Sequence, residues 1–224
     1  MTDRFRGRAE AGAALARRLG GYAGVPGVIV LGLVRGGVPV AAAVAASLTA
    51  ELDVLVVRKL GVPSMPELAF GAIGPGGVRV LNNEVAARLD VAAMTEVIHR
   101  EEAERIRREQ RYRAGRAALR LDGRTAIVVD DGLATGATAR AAVAVARRLG
   151  AARVVLATPV GSAEAVGLLA RAADQVVCLV TPARFGAVSR FYENFRQVTD
   201  DEVVRLLAQH AAGMTTTGTV GECR

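Results

Sequence analysis

Short runs of apolar, mostly β-branched residues alternate along the chain with alanine-rich stretches of helical length. Val28 to Val34 precedes Val38 to Leu48, and Val54 to Val57 follows. The alternation resumes with Ala126 to Val129, Ala137 to Leu149, Val154 to Thr158, Ala163 to Ala172 and Val176 to Val180. A strand covered on both faces carries apolar side chains at consecutive positions, whereas a strand with one wet face alternates. Five such runs separated by helices predict an α/β fold: an open, mainly parallel five-stranded sheet with helices on both faces.

Between the second and third of these strands the pattern breaks. Gly61-Val62-Pro63-Ser64-Met65-Pro66, then Gly71, then Gly74-Pro75-Gly76-Gly77 predict a long flexible loop leading into a β-hairpin, with Gly74 to Gly77 as its turn and Val78 to Leu81 as its return strand. A loop of that length in a compact domain is more often functional than idle. From about Met94 to Arg120 the sequence reads as a charged helix, with Glu101/Arg105, Glu104/Arg108 and Glu109/Arg113 at the stabilising four-residue spacing. Its acids interleave with its arginines and cancel much of the field, which predicts a solvated helix rather than an RNA-binding face. One domain is expected over residues 1–212, with a core at about 25–180 and a small appended segment at 182–200. Residues 213–224, with their run of threonines, read as a disordered tail.

Composition adds bounds. At 224 residues and 51% hydrophobic, the chain can bury one sizeable core. Its first residues are charged and no apolar run is long enough to span a bilayer, so a cytoplasmic protein without membrane contact is expected. Two cysteines, Cys178 and Cys223, make neither a disulfide framework nor a zinc pattern and read as free thiols. The formal charge of +7 suits an anionic partner, nucleic acid or a phosphate-rich small molecule. Nearly all of the cationic charge is arginine, which a compositional bias explains more simply than a nucleic-acid surface does; no nucleic-acid partner is expected. Lys59 is the only lysine.

The chemistry concentrates at residues 126–138: a buried strand, Asp130 and Asp131 at its carboxyl end, a turn of small and hydroxyl residues, then a helix. In an open parallel sheet, ligands bind in the crevice beyond the strand ends. The turn Ala134-Thr135-Gly136-Ala137-Thr138 opens the helix, so its backbone N–H groups and the positive end of the helix dipole face outward and suit a phosphate monoester. Thr135 and Thr138 add hydroxyls, and Gly136 lets the backbone approach the anion. Asp130 and Asp131 would repel that phosphate, but can accept hydrogen bonds from vicinal sugar hydroxyls or hold a hydrated divalent cation. Two carboxylates at a buried strand end with no basic neighbour cost stability, which argues against a mere helix cap. An anion nest beside a carboxylate pair describes a sugar phosphate. A P-loop is excluded because position 137 is Ala, not Lys, and no dinucleotide fingerprint or nucleophile elbow is present.

The block Val128 to Thr138 resembles the signature of the type I phosphoribosyltransferases, and the resemblance extends in strand order over about residues 25–180. It implies binding of 5-phosphoribosyl-1-pyrophosphate (PRPP) by Asp130, Asp131, Ala134, Thr135, Gly136, Ala137 and Thr138. Arg35-Gly36-Gly37, after the first strand, resembles the family's pyrophosphate loop, where a non-proline cis peptide is often found. Arg58 and Lys59, after the second strand, match a basic pair next to a mobile loop; taken alone they would read as a solvated charge pair.

The resemblance further implies a pentosyl transfer of the kind used in nucleotide salvage, in which a nitrogen nucleophile displaces pyrophosphate. Arg35, Lys59 and Mg²⁺ would serve the leaving group, and Asp130 and Asp131 the ribose, with Mg²⁺ reached through water or the ribose. The acceptor, nucleobase-like, would meet a variable hood. Phe185, Phe191, Tyr192 and Phe195 cluster after the last strand although aromatics are only 4% of the chain, and they serve as hood candidates. A hydrophobic plug explains them equally well. The 6-oxopurine enzymes of the family carry an acid where this chain has Ala134, which argues against that substrate class. Two alternatives stay open: a non-catalytic regulator of the same fold whose arginine-rich helix meets nucleic acid, and an enzyme with a non-base acceptor. A homodimer is left open as well.

Overall fold

The computed structural model describes residues 4–217. In chain order its helices and strands are α1 (Arg8–Arg18), β1 (Val28–Leu33), α2 (Gly37–Leu48), β2 (Glu51–Leu55), β3 (Arg58–Val62), β4 (Met65–Ile73), β5 (Arg79–Leu81), α3 (Asn83–Ala86), α4 (Val91–Tyr112), β6 (Thr125–Val129), α5 (Ala137–Arg148), β7 (Arg153–Val160), α6 (Ala163–Leu169), β8 (Gln175–Val180) and α7 (Asp200–Thr217). Five strands form one parallel sheet in the order β2-β1-β6-β7-β8. The predicted α/β architecture is the observed one.

Alternate residues of each strand feed opposite layers, as the pleat requires. Val28, Val30, Val54, Ile127 and Val129 pack with Leu15 of α1 and Leu19 just beyond it, Val40 and Val44 of α2, and Val203 and Leu207 of α7. Ile29, Leu31, Leu55, Ala126 and Val128 pack with Ala142, Val143 and Ala146 of α5 and Leu169 of α6. Both faces are therefore dry, which is why the strands read as unbroken apolar runs.

Winding reverses at the centre of this sheet. From β1 the chain moves outward to β2, then returns to the other side of β1 with β6 and continues to β7 and β8. The crevice of a doubly wound sheet opens at such a reversal, at the carboxyl ends of the two strands that flank it. Here those ends are Val34-Arg35, after β1, and Asp130-Asp131, after β6.

The excursion between β2 and β6 differs from expectation. Residues 58–81 form a second, antiparallel sheet in the order β3-β4-β5, so most of the segment predicted as a flexible loop is strand. The hairpin turn falls at Pro75–Gly77 as predicted. Leu60, Val62, Phe70 and Ile73 bury one face of this small sheet against Val97, Met94 and Ile98 of α4. That helix ends at Tyr112 rather than near Arg120. Beyond it Gly115 adopts a φ of +76°, and Arg113 turns inward to a buried ion pair with Asp53 at 2.9 Å. Nor is α4 fully solvated: Arg105 is 4% exposed, clamped by Glu102 and Glu109.

At the C-terminus α7 continues to Thr217, into the segment read as a tail. Threonine is a weak helix former, but Val203 and Leu207 fix the earlier turns and propagation from a packed nucleus is inexpensive. Residues 218–224, with Cys223, lie outside the described residues; Cys178 is a free thiol. Among the described residues no helix is long and apolar enough to cross a membrane.

Candidate active site

β6 delivers Asp130 and Asp131 to the crevice, and the chain then turns through residues 132–136 into α5. Two outside contacts fix that turn. The Tyr192 hydroxyl donates to the Asp131 carbonyl at 2.6 Å, and the Ser162 hydroxyl donates to the Ala134 carbonyl at 2.7 Å while accepting from Ala165 N–H as the cap of α6. Leu133 adds a backbone bridge to the β7–α6 junction, N–H to the Val160 carbonyl at 2.9 Å. Gly136 precedes α5 at a φ of +72°, a conformation that suits glycine, and the one side-chain contact there is a long one, from Ala137 N–H to the Thr135 hydroxyl at 3.4 Å. The first turn of α5 thus presents its N–H groups from a braced loop.

Arg8, which sequence reasoning missed, contacts the acid pair. Its guanidinium donates to Asp131 Oδ2 at 2.8 Å and to the Arg196 carbonyl at 2.9 Å, and lies over the Phe195 ring at 4.0 Å. The pair therefore has the basic neighbour that it lacks in sequence. Burial pushes both carboxyls above their ordinary range, with Arg8 opposing the rise at Asp131. For Asp130 burial and the adjacent Asp131 charge combine to bring it up to about 8. Of the two, Asp131 is the better stabilised anion, because Arg8 donates to it.

Across the crevice, the Val34–Arg35 peptide is cis, as the resemblance implies. Gly36 and Gly37 are needed for contact distance rather than for φ. A Cβ on Gly36 would stand 2.1 Å from Asp131 Oδ2, and one on Gly37 would stand 2.5 Å from the Val129 carbonyl oxygen. Arg35 reaches Asp200 at 3.5 Å, and the Tyr112 hydroxyl donates to the same carboxylate at 2.6 Å. Arg58 pairs with Glu101 of α4 at 2.6 Å, where the helical spacing predicted Arg105 as the partner of Glu101.

Two cavities meet at this place. One, of about 580 Å³, is lined by Arg8, Arg35, Asp130, Asp131, Phe195 and Gln197 among others. The second, of about 630 Å³, is lined by Arg58, Lys59, Arg100, Glu96 and Glu101 among others. Val34, Arg108 and Thr138 line both. A third, of about 340 Å³, adjoins Lys59, Thr135, Ala137 and Arg140. The structure thus gathers Arg35, Lys59, the acid pair and the helix opening around one cleft.

The aromatic cluster divides. Phe195 lines the first cavity. Tyr192 is 3% exposed and braces the acid loop from beneath, so it presents no face to an acceptor. Phe185 and Phe191 stack on each other at 5.8 Å and pack with Val160, Val180 and Val188.

A doubly wound sheet with acids, a helix opening and a glycine turn at its reversal point defines an α/β protein of the class whose crevice at the carboxyl ends of the strands suits an anionic ligand. The family is set by comparison: residues 6–193 match the model of the phosphoribosyl transferase domain, and the chain belongs to that family. Two curated Mycobacterium tuberculosis proteins, from two strains and each named "Putative phosphoribosyl transferase", are 58% identical over 205 residues. That alignment covers 91% of this chain but 46% of theirs, so the chain spans about half the length of those relatives. A Thermus thermophilus protein of known crystal structure is 44% identical with a TM-score of 0.85, over 92% of this chain and 98% of that one.

Proposed function

We propose that the protein transfers the 5-phosphoribosyl group from PRPP to a nitrogenous base with release of pyrophosphate, in a Mg²⁺-dependent reaction. The observation that carries this reading is the convergence, on one cleft, of an acid pair, a helix opening and two basic positions from separate strands. In it the 5-phosphate rests on the backbone of residues 134–138, where Thr135 and Thr138 supply hydroxyls. Asp130 and Asp131 hold the ribose hydroxyls. Arg35, Lys59 and Arg58 face the pyrophosphate.

As the bond between C1 and the pyrophosphate oxygen breaks, its electron pair leaves on that oxygen. The acceptor nitrogen bonds to C1 and releases its proton. What the protein supplies is fixed positive charge where negative charge accumulates, and a walled cleft that limits water. Among the described residues no group of three or more His, Cys, Asp or Glu could cage a metal ion. The acid pair nevertheless fits Mg²⁺ as it is commonly held, by one or two carboxylates together with phosphate oxygens of the substrate. Bound so, the ion would neutralise charge on the departing pyrophosphate. The proposed acceptor region is the part of the first cavity beside Phe195 and Gln197.

The test is incubation of the protein with Mg²⁺, PRPP and a panel of purine and pyrimidine bases, following pyrophosphate release. Release that depends on one base is the expected result. PRPP binding with no release from any base would instead support a ligand-binding regulator of the same fold.

A further inference from the structure

Helix α4 carries a side chain that the sequence placed only in a ladder of helical charge pairs. Arg108 lines both of the larger cavities at this cleft, and among the described residues it shares that place with Val34, beside the cis peptide, and Thr138, in the first turn of α5. One cavity contains the acid pair; the other contains Lys59 and Arg58. A ligand with its ribose on Asp130 and Asp131 and its diphosphate directed at Lys59 must pass this junction. The atoms that cross it are the bridging oxygen at C1 and the phosphorus next to it.

The surroundings leave Arg108 suited to an anion. Arg108 is one-quarter exposed and pairs with Glu104 at 2.6 Å, yet Glu104 also accepts two hydrogen bonds from Arg107, at 2.7 and 3.0 Å. Releasing Arg108 therefore leaves Glu104 paired. In the second cavity the cations Arg58, Lys59, Arg100 and Arg108 outnumber the acids Glu96 and Glu101, and Arg58 is held by Glu101. The helix is also well anchored: it packs on the β3-β4-β5 sheet, and Arg113 beyond its end is tied to Asp53. A guanidinium on such a support can meet a phosphate with two parallel N–H donors and little loss of side-chain freedom.

We propose that Arg108 binds the diphosphate of the donor at its bridging end, so that α4 forms a fixed basic wall of the site. This rests on the transferase reading above, and its test is chosen to be independent of turnover. Binding of Mg²⁺-pyrophosphate alone would be measured by calorimetry for the wild type, Arg108→Ala, Arg108→Lys and Arg107→Ala. Arg107 shares Glu104 but lies 53% exposed, and so controls for loss of an arginine from this helix. The expected result is weakening of roughly tenfold or more for Arg108→Ala, partial recovery in Arg108→Lys and an unchanged Arg107→Ala. Wild-type affinity in a folded Arg108→Ala, equal losses in Arg107→Ala and Arg108→Ala, or no pyrophosphate binding by the wild type would each overturn the assignment. Arg108-dependent binding without transfer to any base would uphold it and overturn the transferase reading instead.

Discussion

A methyl group on residue 36 would be driven into the Asp131 carboxylate, and that single contact explains why the turn after β1 carries glycine where it faces β6. Gly36→Ala should therefore disturb the acid pair before it disturbs the sheet. The expected outcome is a stability loss of about 1–3 kcal/mol, read from urea unfolding, and a fall of roughly tenfold or more in PRPP affinity. Asp130, Asp131 and the small residues after them were legible because adjacent acids at the end of an apolar run have few structural explanations. Arg8 was not legible. It joins Asp131 across 123 positions, from an amphipathic helix whose other arginines look the same in sequence. Tyr192 was visible as part of an aromatic cluster, but whether an aromatic braces a loop or faces a ligand is decided by which carbonyl its hydroxyl reaches.

At the scale of elements, the parallel strands were readable because burial on both faces leaves no polar positions, and their helices because alanine fills the intervals. β3 escaped because Arg58-Lys59-Leu60-Gly61-Val62 mixes charges and glycine with too few apolar residues to show a period. For α4 two rungs of the expected ladder form, Glu104/Arg108 and Glu109/Arg113, but the ladder does not show which side packs. Arg105 is buried there because two glutamates of its own helix neutralise it. Another rung gives the helix a measurable pH signature. Hydrogen bonds from Arg107 and Arg108 lower the Glu104 carboxyl to about 2, against an ordinary value of 4.5. A depressed folded value means that the contribution is complete above about 4.5 and lost as pH falls towards about 2. Melting of Glu104→Gln should therefore fall below wild type at pH 6, and the gap should close between pH 5 and pH 2. Solvent screening at this partly exposed site keeps the gap small.

For the molecule as a whole, a ligand that binds only the folded chain shifts its unfolding by mass action. With PRPP and Mg²⁺ at about one hundred times the dissociation constant, the gain is about 2.7 kcal/mol, several degrees in melting temperature for a domain of this size. Removing Mg²⁺ with a chelator should reduce that gain sharply if the cation bridges the acids and the phosphates, and leave it intact if it does not. Calorimetry with and without chelator reads both outcomes.

The Arg8 contact carries a further consequence, for the order in which the molecule is made. The carboxylate partner of the guanidinium emerges from the ribosome 123 residues after it, and the Arg196 carbonyl that completes its clasp later still, 188 residues after it. Phe5 likewise awaits its bridge to Tyr192. A nascent chain could complete all five parallel strands, through Val180, while the acid pair still lacks part of its final setting. Ligand competence then waits on the segment around Arg196, and a PRPP analogue supplied during synthesis would report the emergence of that segment rather than folding of the sheet.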